Sequence, residues 1–102
     1  MFFGRKKTAS PELKNEILEN SGIVIDCRTA SERASGMVKG AITADWLGGE
    51  MHSKVKSLDP SKHYYLYCRS GARSGQATSF LKSHGFNNVT NLGGYDDVAD
   101  LF

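Results

Sequence analysis

Cysteine is scarce in this 102-residue chain: Cys27 and Cys68 are the only two, so at most one disulfide can form and a disulfide scaffold is excluded. There is no CxxC pair and no Cys/His cluster with metal-ligand spacing, so no metal site is expected. His52, His63 and His84 stand singly and read as surface or helix-end residues. None lies beside a cysteine in sequence, which leaves Cys–His protease chemistry without support. Charge of one sign is also lacking. A net charge of +2, with no basic block beyond Arg5-Lys6-Lys7, is too small to argue for nucleic acid. No apolar run is long enough to span a bilayer, and Met1-Phe2-Phe3 precedes the positive residues, the reverse of a secretory signal. A membrane partner is therefore not expected, and the chain reads as cytoplasmic. Repeats and low-complexity segments are absent as well.

What is present is the composition of an ordinary globular protein, with 39% hydrophobic and 24% charged residues. The length suits one domain and no second catalytic unit. Residues 1–9 read as a flexible leader and 10–102 as the domain. Ser10-Pro11-Glu12 is a helix start: a capping hydroxyl, a proline at the first helical position and an acid in the first turn. Leu13, Ile17 and Leu18 form its apolar stripe, and Asn20-Ser21-Gly22 ends it. Ile23-Val24-Ile25 is a β-branched run suited to a strand buried on both faces, with Asp26, Cys27 and Arg28 at its carboxyl end. Thr29–Ala34 reads as a brief capped helix closed by Gly36, and Ala41–Ala44 as a short strand. Trp46 and Leu47 are expected to cover core. Gly48-Gly49 opens a helical segment to about Leu58, carrying Met51, Val55 and Leu58 at helical spacing. Ala77, Phe80, Leu81 and His84 share a later helical face, stopped by Gly85. Val89-Thr90-Asn91 is a strand, Gly93-Gly94 a turn, and Tyr95–Phe102 a terminal helix. Strands alternating with helices predict an α/β fold: a mostly parallel sheet with helices on both faces.

The most informative stretch is Tyr64-Tyr65-Leu66-Tyr67-Cys68-Arg69-Ser70-Gly71-Ala72-Arg73-Ser74. An apolar, aromatic run ends at a cysteine, small and cationic residues follow, and an amphipathic pattern then begins. This is a buried strand, a tight loop and a helix N-terminus. Inward amides and a helix start favour negative charge, and Arg69 and Arg73 add positive charge beside the sulfur. A cysteine is more often a buried packing residue than a nucleophile. At this junction the nucleophile reading wins for Cys68, because its thiolate is stabilised. Cys27 lacks such flanks apart from Arg28 and reads as a small filler. Both cysteines would lie at one sheet edge, so a reversible Cys27–Cys68 disulfide stays open.

The segment Cys68–Ser74 resembles the active-site loop of the rhodanese family of sulfurtransferases. Ile25-Asp26-Cys27-Arg28 with Glu32 is similar to that family's strand-end Asp-x-Arg and following Glu. Gly36–Ile42 is similar to its Gly-His-Ile-Pro-Gly-Ala segment, and Leu92-Gly93-Gly94 to its late Gly-Gly turn. Met37, Lys39 and Val98 depart from the pattern where His, Pro and an aromatic are usual, all outside the loop. The resemblance implies a three-layer rhodanese-like fold and a double displacement. Cys68 takes a sulfane sulfur from thiosulfate or a persulfide donor, then yields it to cyanide, a small thiol or a protein thiol. Arg69, Ser70, Gly71, Ala72, Arg73 and Ser74 would bind the substrate, with Arg73 the stronger cation. Asp26, Arg28 and Glu32 would be structural, and no cofactor is implied. A non-catalytic or redox-sensing module of this family is an alternative. The nearest enzyme competitor, a phosphatase or arsenate reductase of the same fold, would need its arginine where Ser74 stands. Arg73 comes one residue early.

Overall fold

The computed structural model describes residues 9–102. The elements in chain order are α1 (Pro11–Glu19), β1 (Ile23–Asp26), α2 (Ala30–Arg33), β2 (Ile42–Thr43) and α3 (Glu50–Lys54), then β3 (Tyr64–Cys68), α4 (Ala72–Ser83), β4 (Val89–Gly94) and α5 (Tyr95–Val98). One sheet forms in the order β2-β1-β3-β4, and every neighbouring pair is parallel. The expected α/β architecture is present, with the sheet wholly parallel.

Alternation along β3 divides the core. Tyr64, Leu66 and Cys68 pack with Ile25, Cys27, Met51, Ala77 and Leu81, on the side covered by α3 and α4. Tyr65 and Tyr67 face the other way, against Ile17, Val24, Leu92, Val98 and Leu101, on the side of α1 and α5. A strand buried on both faces tolerates tyrosines only if each phenol finds a partner. All three do: Tyr64 at the Asp59 carbonyl (2.9 Å), Tyr65 at the Glu16 carboxylate (2.8 Å) and Tyr67 at the Asp26 carboxylate (2.7 Å).

The strand order sets the place of the site. From β1 the chain crosses to β2 on one side, and from β3 to β4 on the other, so the carboxyl ends of β1 and β3 border a topological switch point. Their register pairs Asp26 with Tyr67, and the Cys27 amide continues the ladder to the Tyr67 carbonyl at 2.8 Å. Cys27 and Cys68 therefore emerge side by side at that edge, and both are free thiols.

Several local expectations change. The leader expected over 1–9 lies largely outside the described residues, and Ala9 is tied down by donating to the Asp97 carbonyl at 2.9 Å. Leu18 and Leu47 are exposed, at 59% and 69%, instead of facing core. Leu18 falls beside Ile17 on a helix of only 9 residues, too short to wrap a wider stripe into the core. His84 is an exposed cap residue whose Nδ1 lies 2.8 Å from the Phe80 carbonyl. The helix from Gly49 ends at Lys54 in a 3-10 turn over Val55–Ser57, and α5 stops at Val98. Gly93-Gly94 is no turn: it forms the last two residues of β4, after a register shift opposite Leu66/Tyr67 that leaves Leu92 without a partner.

A buried polar cluster stands at the end of β1. The Asp26 carboxylate, 0% exposed, accepts from Arg28 Nε at 3.0 and 3.1 Å, from Arg28 Nη2 at 2.7 Å and from the Arg28 amide at 2.9 Å. Arg28 then reaches the carbonyls of Gly36 (2.6 Å) and Glu32 (3.2 Å) and lies 4.1 Å from the centre of the Tyr95 ring. Removing one member of such a pair strands the other charge in the core. Arg28→Met is therefore expected to lower unfolding free energy by about 3–5 kcal/mol in urea titration, with Asp26→Leu/Arg28→Met recovering most of it. A loss below about 1 kcal/mol for the single variant would be the behaviour of an exposed pair and would contradict this account.

Candidate functional site

The side chain of Cys68 ends β3 inside a small cradle. The Gly71 amide donates to its sulfur at 3.0 Å and the Ser74 hydroxyl lies within 3.3 Å. Gly71 is the N-cap of α4 at φ +99, a left-handed conformation, and a Cβ there would meet Gly93 Cα at 3.1 Å. A Cβ on Gly94 would meet the Arg69 carbonyl oxygen at 2.6 Å. The two glycines ending β4 are thus the floor against which the loop closes. A larger residue at Gly94 would push the loop off the sulfur, while Gly93 is held to glycine by its φ of +97.

Burial works against a charged sulfur at Cys68. The Ser74 hydroxyl and the amides of Ser74, Ser70 and Gly71 work for it, and they win: the thiol is held below its ordinary value. Cys27 shows the opposite balance. Burial, then the charge of Cys68 and of Asp26, push its thiol up to about 12. Two adjacent cysteines are thus shifted in opposite directions, Cys68 down and Cys27 up.

The two loop arginines differ. Arg73 makes a bidentate fork with Glu32, at 2.8 and 2.9 Å. That guanidinium, with the Thr29 amide behind it, holds the Glu32 carboxyl down to about 2. Glu32 is itself placed by a capping box with Thr29 at the start of α2. The simple Arg28–Glu32 side-chain pairing that their spacing suggests is not made: Arg28 takes the Glu32 carbonyl, and the carboxylate goes to Arg73. Arg69 is exposed and forms no ion pair among the described residues. It lines a hollow of about 240 Å³ with Arg28, Glu32, Ser35, Tyr95 and Asp96. A larger apolar groove, bordered by Ile17, Leu18, Ile42 and Phe102, lies away from the loop.

The structure gathers the Ser74 hydroxyl and the amides of Ser70, Gly71 and Ser74 around the Cys68 sulfur, with Ala72 opening α4, Arg73 turned to Glu32 and Arg69 at the lip. Asp26 and Arg28 stand behind as a buried brace. Sequence reasoning passed over Asn91, which accepts from Ser74 Oγ at 2.7 Å and donates to the Gly71 carbonyl at 2.9 Å. Its signal was faint: a polar residue at the end of a short strand, just before the Gly-Gly pair. Tyr67 and Tyr95, which flank Arg28, read from the sequence only as strand and helix residues. Among the described residues no group of three or more His, Cys, Asp or Glu could hold a metal ion, and no helix is long and apolar enough to cross a membrane.

Comparison with known proteins bears on the family and the fold. The family model described as rhodanese-like domain matches residues 10–100. A protein of Allochromatium vinosum named sulfurtransferase is 35% identical over 75 residues, which span 71% of this chain and 65% of that protein. A solved structure described as rhodanese with anions from E. coli superposes with a TM-score of 0.69 at 30% identity, over 76% of this chain and 92% of that one. The human single-domain sulfurtransferase TSTD1 shares the fold, with a TM-score of 0.72 at 23% identity, over 95% of this chain and 97% of its own.

The Glu32–Arg73 fork gives a pH signature. A carboxyl lowered in the folded state stabilises fully above its unfolded value of 4.5, and that contribution is lost as pH falls toward about 2. The stability gap between wild type and Glu32→Gln, measured by urea unfolding, should be constant above about 4.5 and close across that window. A gap independent of pH would contradict the fork.

Proposed function

The chain belongs to the rhodanese-like domain family, and from that premise we propose that it is a sulfurtransferase carrying sulfane sulfur on Cys68. The observation that supports this reading is the balance at the Cys68 sulfur, where donors from Gly71, Ser70 and Ser74 outweigh burial. In the first step the thiolate attacks the outer sulfur of thiosulfate. A Cys68–sulfur bond forms, the sulfur–sulfur bond of the donor breaks, and sulfite leaves with the electron pair. The persulfide then holds its negative charge on the terminal sulfur. In the second step cyanide or a thiolate attacks that sulfur, and the pair returns to the Cys68 sulfur. Electrons and charge balance in each step, without an external oxidant or reductant.

The donor's charge calls for a cation at the entrance. Arg73 is committed to Glu32 at both outer nitrogens, so its part is to fix the start of α4 and to add positive field. Arg69, exposed at the hollow beside Tyr95, is free to meet the anionic donor. Cys68 is 0% exposed, so the donor's sulfur reaches it only as the lip formed by residues 69–72 yields. A small thiol or a thiol on a protein surface meets the same entrance as the acceptor.

Loop length separates this chemistry from phosphate transfer. A tetrahedral oxyanion needs amides on several sides and an arginine closing the ring, and Arg73 is both one residue early and held by Glu32. Thiosulfate-to-cyanide transfer and aryl phosphate hydrolysis can be assayed on the same protein. The expected result is thiosulfate turnover that Cys68→Ala abolishes and Cys27→Ala largely retains, with no phosphate released. Cys68-dependent phosphate release with no thiosulfate turnover would replace this reading by a phosphatase.

A further inference from the structure

The Ser74 side chain is 0% exposed and its hydroxyl has one proton to give. Two acceptors lie within reach of it: Asn91 Oδ1 at 2.7 Å and Cys68 Sγ at 3.3 Å. Both distances suit their atom pairs, so the proton can serve either without the oxygen moving. The Asn91 amide is held at both ends, its nitrogen donating to the Gly71 carbonyl at 2.9 Å and its oxygen accepting from the Gly93 amide at 3.0 Å. Only that orientation satisfies all three neighbours, so it is the carbonyl end that faces Ser74.

We propose that Asn91 is a positioning residue whose Oδ1 accepts the Ser74 hydrogen bond while the Cys68 sulfur is uncharged and yields it to the sulfur when charge gathers there. A thiolate is the stronger acceptor, because hydrogen bonds to ionised groups are roughly twice as strong as neutral ones. A thiol or a persulfide's inner sulfur is a weak acceptor, and a buried hydroxyl facing it alone would be left unsatisfied. Asn91 supplies the second partner. Where the proposal concerns turnover it rests on the sulfur-transfer reading above. As the thiolate attacks, sulfite leaves with the electron pair of the donor's sulfur–sulfur bond and the negative charge moves from Cys68 Sγ to the persulfide's terminal sulfur, so the Ser74 hydroxyl turns from Cys68 Sγ to Asn91. As the acceptor breaks the persulfide bond and the pair returns, the hydroxyl turns back to the departing Cys68 sulfur. No proton changes owner in either turn.

The charged and titratable groups near this sulfur are Arg73 on α4 and Cys27 beyond β1, with Glu32 of α2 behind Arg73 and Asp26 and Asp45 acting on that group. None is altered in the test, which titrates the Cys68 thiolate by ultraviolet absorbance in the absence of any sulfur donor. Cys27 stays protonated across the range. In Asn91→Leu the Ser74 proton belongs to Cys68 alone, so the midpoint should move to lower pH. The thiolate fraction below the midpoint should rise roughly three- to ten-fold. In a Ser74→Ala background the same Asn91→Leu change should move nothing. Asn91→Asp keeps an acceptor for Ser74 but loses the donor to Gly71, and should hold or raise the midpoint. No movement in Asn91→Leu, an equal movement without Ser74, or a fall in Asn91→Asp matching that in Asn91→Leu would overturn the proposal, the last assigning the effect to the lost Gly71 bond. Since no donor is present, this readout stands or falls separately from thiosulfate turnover.

Discussion

The Asp26 carboxylate, sealed at the end of β1, is the contact on which the rest of the site depends. It holds Arg28 on one side and the Tyr67 phenol on the other, and Tyr67 in turn accepts from the Val38 amide at 3.0 Å. Arg28 spends its remaining donors on the carbonyls of Glu32 and Gly36, which fixes α2 and the chain leaving it. Glu32 can then reach across to Arg73 in the first turn of α4. The start of α4 is where the amides meet the Cys68 sulfur. One buried charge thus sets the position of Cys68 on a different strand. The arrangement is costly to bury and costly to break, as expected of an ion pair kept for the geometry it enforces.

The second constraint is space. Between β3 and β4 the loop 69–71 has only the width that Gly93 and Gly94 leave it. The register shift in β4 puts these two glycines opposite Tyr67 and Cys68. Close packing and inward amides come from the same feature, so the cradle is small because its floor is backbone.

The parallel sheet was legible in the sequence because Ile23–Ile25 and Tyr64–Tyr67 are apolar runs bounded by turn residues, and a strand buried on both faces needs that pattern. Cys68 was legible because small and cationic residues follow it at once, before a helical period. Partners across the fold were not. Arg73 reads as a substrate cation until Glu32, distant in sequence, is seen to occupy it. Asn91 reads as strand because its contacts with Gly71 and Ser74 are ones that sequence spacing does not bring near it. Gly93-Gly94 reads as a turn because paired glycines usually are one. Here Gly94 is needed for the close approach of a loop and Gly93 for a left-handed backbone at φ +97. Local pattern carried the elements, and long-range hydrogen bonds carried the roles.

The central claim is that Cys68 holds the transferred sulfur as a covalent persulfide. Intact-mass measurement after incubation with thiosulfate tests this most directly. The account predicts a gain of one sulfur atom on the wild-type chain, removed by a reducing thiol and absent from Cys68→Ala. An unchanged mass in the wild type, or an adduct that persists in Cys68→Ala, would contradict it.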